Sequence, residues 1–381
     1  MKKRYLLFFP LILVFLFNGC TVTTGPQVVS TLPPPVHTTD TNATQPVTAS
    51  GLPTPHNISV TWSDLKLTGK LIYTVNTSDG YNNFMAVQAL DLSTGYVTTI
   101  FQSVPDGYID SAVVSPDHRQ IVMSYAPPDL VQGAIFNPLA LFSMPVDGSQ
   151  PPHQLFPLPL KNDQEIEPVW SPDGKTIYFV LVNNGVPPAE PNQHYPIYQI
   201  YRVAYPDGQP EKILDKAYWP RPSADGSQLV YVSENPDDMT NQLFVANNNG
   251  RNAHQIVLSG DNVPKIIDAP MFLPDGKNIL FSAPSPPQSS VIPWLDWLFG
   301  ARPASAHTLS SEWWSVSVSG GAITQLTHIQ TPGLYASISP DNRTIVSFST
   351  NRIFVMNPDG SELTLLLSDT GGNMGTVNWI P

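Results

Sequence analysis

A strand-turn-strand segment that recurs along the chain constrains its fold more than any other feature. The best-preserved copy is residues 170–175, Trp-Ser-Pro-Asp-Gly-Lys, followed by an apolar run to Val180. Pro172 presets φ for a turn, Asp173 can hydrogen-bond the turn backbone, and Gly174 accepts a positive φ. The segment therefore predicts two antiparallel strands joined by a tight turn.

Further copies of this segment repeat along the chain, and each precedes an apolar strand. They are residues 115–119, 223–227, 273–277 and 339–343, with a weaker copy at 68–73. A period of roughly 40 to 50 residues with about four short strands per repeat is typical of a β-propeller. The sequence predicts an all-β protein, a six-bladed propeller of four-stranded antiparallel blades. The C-terminal residues 377–381 are expected to complete the first blade beside residues 71–73 and close the ring.

From about residue 65 to 381, these repeats resemble the TolB-like (WD-type) propeller repeats of bacterial envelope proteins. The hallmark shared with that family is the Trp-Ser-Pro-Asp-Gly-Lys turn ahead of an apolar strand. The resemblance implies a propeller fold and contacts with other proteins. His118 and Asn342 replace the turn glycine, and each is expected to adopt a positive φ at a cost of about 1 kcal/mol relative to glycine.

The N-terminal residues 1–19 have the pattern of a lipoprotein signal peptide. Three basic residues precede an apolar run from Tyr5 to Phe17, which is shorter than the roughly 20 residues that span a bilayer. Cys20, the only cysteine in the chain, follows at once, and we expect it to be lipidated. A secreted protein with an incidental cysteine and an uncleaved anchor are the alternatives.

Residues 20–57 are rich in Thr and Pro and contain no Lys or Arg. This composition predicts a disordered tether, which at roughly 3 Å per residue extends up to about 100 Å. Residues 58–381 are then one propeller domain, expected to be monomeric at the cell surface or in the periplasm. The net charge of −12 argues against nucleic acid as a partner.

The propeller has one face with long loops, at residues 126–138, 183–196 and 283–312. The innermost strands begin on that face, so their first residues are predicted to surround the mouth of the central channel. Acidic and aromatic residues dominate this set and suit a peptide or a sugar, with a basic group favoured. The alternative is that these residues form a solvated rim and bind no ligand. The predicted mouth residues are Asp110, Ser111, Glu165, Glu167, Tyr218, Trp219, Asp268, Tyr335 and Thr376.

The loop at 283–312 contains an aromatic cluster with a Pro before it and a Gly after it. Trp294, Trp297 and Phe299 fit a short helix that contacts a partner, caps the channel or enters a membrane interface. The alternative is that this cluster packs against its own blades.

Sequence motifs for chemistry are lacking, since the chain has no Gly-x-Ser-x-Gly, no His-Glu-x-x-His and no calcium-loop pattern. We expect no metal and no cofactor. The leading hypothesis is a non-catalytic scaffold that binds an envelope protein, peptide or glycan. The alternative is a glycan-active hydrolase or lyase that uses Glu165, Glu167, Asp110 and Asp268. Carboxyl groups about 5 to 10 Å apart in a closed pocket would favour catalysis, and a wide mouth would favour binding.

Overall fold

The computed structural model describes residues 54–55 as backbone, and residues 65–78, 80–105, 107–135, 137–185, 195–234, 240–261, 263–284, 309–350, 352–368 and 375–381. The predicted signal peptide, Cys20 and most of the tether lie outside these residues, as do Trp294, Trp297 and Phe299. Within the described residues, no helix is both long and apolar enough to cross a membrane.

Six four-stranded antiparallel blades make up the propeller, as the repeats predict. From the innermost strand outward, the blades are as follows. Blade 1 is Val377–Ile380, Lys70–Ser78, Asn83–Asp91 and Tyr96–Gln102; blade 2 is Tyr108–Val114, Gln120–Ala126, Ala140–Pro145 and His153–Gln154; blade 3 is Gln164–Trp170, Thr176–Asn183, Ile197–Ala204 and Glu211–Asp215. Blade 4 is Ala217–Pro222, Gln228–Glu234, Asn241–Asn247 and His254–Gln255; blade 5 is Asp268–Phe272, Asn278–Pro284, Ser311–Ser317 and Thr324–Gln325; blade 6 is Tyr335–Ile338, Ile345–Ser349, Arg352–Met356 and Thr364–Ser368.

Four short elements of the described residues lie outside this pattern. Thr54–Pro55 pairs with the outer strand of blade 1 as a fifth strand. Leu258–Ser259 and Gly321–Ala322 form a parallel pair between blades 4 and 5, and the helix Pro128–Val131 lies in the long loop of blade 2.

The C-terminal strand closes the ring as predicted. Trp379 lies opposite Leu71 and Val377 opposite Tyr73 in an antiparallel register. Asn378 reaches across to blade 2, where its side chain accepts a hydrogen bond from Val114 N at 3.1 Å and donates one to Ala112 O at 2.8 Å. The last strand thus fixes blade 1 to blade 2 as well as completing blade 1.

The repeated turn has the hydrogen bonds that its residues predict. In blade 3, the Ser171 hydroxyl donates to Asp173 Oδ1 at 2.6 Å, and that oxygen also accepts from Lys175 N at 3.1 Å. Thr176 N donates to Ser171 Oγ at 2.9 Å. His118 and Asn342 adopt φ values of 58° and 60°, so both take the left-handed conformation expected at the glycine position.

Large side chains at the end of the inner strands pack between neighbouring blades. Trp170 is 6% exposed and lies in one apolar cluster with Val113 and Leu141 of blade 2 and Phe179 of blade 3. Phe272 and Trp379 occupy comparable clusters, whereas Ile338 is half-buried. The hydrophobic core therefore consists of a series of layers between blades, and the channel passes through the middle of the ring.

Candidate functional site at the central channel

The innermost strands of four blades are irregular at the same point. Their pairing with the second strand shifts next to Asp110 in blade 2, Glu167 in blade 3, Trp219 in blade 4 and Ala269 in blade 5. In blades 3 to 5 the irregular residue precedes a proline and has a positive φ of 54°, 57° and 45°. Proline has no backbone N–H to donate to the neighbouring strand. The inner strand therefore bulges there, and the bulge changes the direction in which its side chains point.

The bulges surround a small cavity in the channel. Its walls are Asp110, Ser111, Glu167, Pro168, Trp219, Pro220, Arg221, Tyr335 and Thr376, and its volume is about 10 Å³. Roughly 10 to 15 Å³ is the minimum that holds one water molecule. The channel at this level therefore has no room for a sugar ring or a peptide.

The side chains of Asp110 and Glu167 at the cavity are half-buried. Burial raises the pKa of Asp110 to about 6. Burial also raises the pKa of Glu167 well above its usual value, and the neighbouring Asp110 and Asp268 raise it further. Trp219 N donates to Glu167 Oε2 at 2.6 Å and opposes that shift, because the hydrogen bond favours the charged form.

Arg221 is the cation of this cluster and was not predicted from the sequence. Burial lowers the pKa of its guanidinium, and the negative charge of Glu167 raises it. The strand bulges between Tyr218 and Arg221, so the alternation of side chains gives no signal that would place Arg221 at the channel. Among the channel carboxyl groups, Glu167 is the one whose charge acts on this guanidinium.

Tyr335 completes the cluster from blade 6. Burial raises the pKa of its phenol well above the usual value, and Asp110, Glu167 and Asp268 add to the increase. Its ring lies 5.1 Å from that of Trp219, centroid to centroid, in an edge-to-face arrangement. Thr376 is held by blade 2, since its hydroxyl donates to Ala112 O and accepts from Ala112 N.

Ser111 lines the cavity with a hydroxyl that is buried and has no hydrogen-bond partner of good geometry within the described residues. The hydroxyl lies near Asp110 and lowers the pKa of that carboxyl. One water molecule in the cavity would satisfy it.

Three of the predicted mouth residues do not line the cavity. Asp268 is 1% exposed and acts on Glu167 and Tyr335 through its charge. The Tyr218 hydroxyl accepts a hydrogen bond from Asn241 Nδ2 at 2.7 Å. Glu165 lies between blades 2 and 3, where its Oε2 accepts from Leu141 N at 2.8 Å, and burial raises its pKa to about 8.

The site has neither the geometry expected for catalysis on a glycan nor the wide mouth expected for binding in the channel. The mouth is not wide, and the cavity of about 10 Å³ is too small for a glycan. Within the described part of the chain, no group of three His, Cys, Asp or Glu side chains is arranged to hold a metal ion.

The sequence matches no protein-family model and no curated protein. Among solved structures, the chain is similar to TolB from Acinetobacter baumannii, with 16% identity and a TM-score of 0.56 over 82% of this chain and 67% of that one. It is similar to a TolB from Agrobacterium tumefaciens, with 15% identity and a TM-score of 0.52 over 83% and 99%. A nidogen/laminin complex matches with 10% identity and a TM-score of 0.54 over 81% and 98%. These similarities confirm the TolB-like propeller fold.

Proposed function

We propose that the protein is a non-catalytic binding scaffold, tethered outside the cytoplasm through a lipid on Cys20. The observation that carries the proposal is the narrow channel, whose cavity of about 10 Å³ is too small for a peptide or a sugar ring, so that the faces of the ring are the surfaces that can meet a partner. Two of the similar folds are TolB proteins, and another belongs to a complex between proteins, nidogen and laminin.

The working face in this proposal is the one that carries the long loops. The strand-to-strand turns of the opposite face are short and repeat the Ser-Asp hydrogen bonds described for blade 3, at 115–117, 223–225 and 339–341. The Ser and Asp side chains of these turns form hydrogen bonds within the turns themselves. Partner recognition therefore falls to the long-loop face, where the sequence places Trp294, Trp297 and Phe299.

Capture from solubilised envelopes tests the binding role. The lipidated protein is the bait, and the variant Trp294→Ala, Trp297→Ala is compared with Lys175→Ala, an exposed residue in the turn on the opposite face. We expect a partner to be retained by the wild type and by Lys175→Ala but to fall at least tenfold with the double variant. Equal recovery with all three proteins would remove the aromatic loop from the proposal.

Membrane anchoring has its own test. Cys20→Ser removes the sole acceptor for lipid, so the protein should move from the membrane fraction to the soluble extracytoplasmic fraction. If Cys20→Ser stays in the membrane fraction to the same extent as the wild type, the lipid anchor is excluded.

A further inference from the structure

A second cleft, which shares no lining residue with the channel cavity, lies at the outer edge of blade 4. It separates the start of the strand Asn241–Asn247 from the segment 255–267, which leads from blade 4 to blade 5. Its volume is about 320 Å³, at the lower end of the roughly 300 to 1,000 Å³ range of ligand pockets. The cleft therefore has room for one or two residues of a peptide.

The cleft has an aliphatic interior. Leu243, Ile256 and Ile267 form its base and are only 1 to 2% exposed. Val257 and Val263 form its walls and are 63% and 38% exposed. Exposed aliphatic walls above a buried aliphatic base offer an apolar side chain a place to leave water.

Backbone and side-chain hydrogen bonds fix the walls in place. Ile256 N donates to Leu243 O at 2.8 Å, and Asn241 N donates to Lys265 O at 3.0 Å. The Asn241 side chain accepts from Ile267 N and donates to Ile267 O at 2.9 Å. Asn241 therefore joins the two walls and holds them at a fixed separation.

The rim of the cleft is polar and carries one charge. Gln242 and Gln255 supply amide groups that suit the backbone of a peptide. Lys265 is exposed, and no ion pair to it is formed within the described part of the chain. On a protein with a net charge of −12, this single cation beside an aliphatic cleft is complementary to a carboxylate.

We propose that this cleft binds the C-terminal end of a partner peptide whose last residue is a branched aliphatic one. The side chain enters between Val257 and Val263, the amide meets the glutamines, and the terminal carboxylate meets Lys265. The exposed ammonium of Lys265 at the rim favours a chain terminus, with its free carboxylate, over a continuing chain. This inference rests on the proposed binding function but uses a different surface from the aromatic loop.

Methyl NMR on the full-length protein in detergent micelles tests the proposal, with N-acetyl-leucine as the probe. The expected Kd is on the order of 1 mM, as for other ligands of this size. Shifts should be confined to the methyl groups of Leu243, Ile256, Val257, Val263 and Ile267. N-acetyl-leucinamide, which lacks the carboxylate, should bind at least threefold more weakly to the wild type.

Two variants with a matched control complete the experiment. Val257→Asp should abolish the shifts, and Lys265→Gln should bind N-acetyl-leucine and its amide equally. Val104→Asp is the control, because Val104 is an exposed valine of similar accessibility elsewhere on the surface; it should bind like the wild type. All proteins should melt within about 2 °C of one another, since these side chains are exposed.

Several outcomes would contradict the proposal. Shifts that are absent at 20 mM probe, are scattered over the propeller, or are equal for the acid and its amide would overturn the proposal. Hexanoate, which lacks the amide, separates the two sources of an aliphatic carboxylate, and equal affinity for it would overturn the peptide assignment. None of these results depends on Trp294 and Trp297, so the scaffold proposal stands or fails separately.

Discussion

The innermost strand of blade 3 separates two acids with opposite surroundings. Glu167, at the channel, is enclosed with Asp110, Asp268 and Arg221, and burial raises its pKa well above the usual value. Asp173, in the turn that follows the strand, is exposed. The hydrogen bond from the Ser171 hydroxyl lowers its pKa, with a further contribution from Lys175 N.

The difference shows that, within one repeat, the turn acid stabilises the fold and the channel acid belongs to the candidate site. The turn acid is charged because its hydrogen bonds are made by its own turn, and the same bonds recur in other blades. The channel acids come from different blades, and after burial the charges of Asp110 and Asp268 raise the pKa of Glu167 further. A residue that recurs along the sequence thus marks the architecture, whereas the channel cluster arises only when the ring closes.

The largest expected effect lies next to the turn, where an apolar side chain rather than an acid provides stability. Trp170→Ala should lower the free energy of unfolding by about 3 to 5 kcal/mol, because it empties the space between blades 2 and 3. It also removes the edge-to-face contact with Tyr205 at 4.8 Å. Guanidinium unfolding measures this loss, and a change within about 1 kcal/mol would contradict the role of Trp170 between blades.

A smaller loss is expected when the channel acids lose their cation. Arg221→Met should lower the free energy of unfolding at pH 8 by about 2 to 3 kcal/mol, because Glu167 is then left without a nearby positive charge. At pH 5 the loss should shrink as the carboxyl groups take up protons.

Arg343 provides the matched control at the turn side. It is exposed. The hydrogen bond from the Ser339 hydroxyl contributes most to the lowered pKa of Asp341, and the backbone N–H and the charge of Arg343 add to it. Arg343→Met should cost no more than about 0.5 kcal/mol, since exposed ion pairs contribute little. If the two methionine variants lose the same stability at pH 8, the channel cluster is not desolvated in the way described.

The sequence predicts the fold of this protein far better than its channel. Turn residues such as Pro172 and Gly174 act locally, so the repeats, the six blades and the pairing of Trp379 with Leu71 can all be predicted from the chain. The cavity depends on bulges at Glu167 and Trp219 that shift the strand register, and this cannot be read from periodicity. Glu165 was placed at the mouth by counting, but the structure shows it between two blades, bonded to Leu141 N.

The pH dependence of stability compares the two kinds of acid directly. Asp110 has a raised pKa, so the folded state binds its proton more tightly than the unfolded state does. Its contribution is present at low pH and is lost as the pH rises from about 4, the value in the unfolded chain, through about 6. Asp173 has a lowered pKa, so its contribution is present above about pH 4 and is lost as the pH falls.

Two asparagine variants separate these contributions. Asp110→Asn should raise the free energy of unfolding at pH 8 by about 2 kcal/mol relative to the wild type, with a difference near zero at pH 4. Asp173→Asn should lower it by about 0.5 kcal/mol at pH 8, because a charged acceptor becomes a neutral one, and this difference should also vanish toward pH 3. Urea unfolding at a series of pH values gives both curves. Parallel curves for Asp110→Asn and the wild type would mean that the channel carboxyl is solvated like the turn acids.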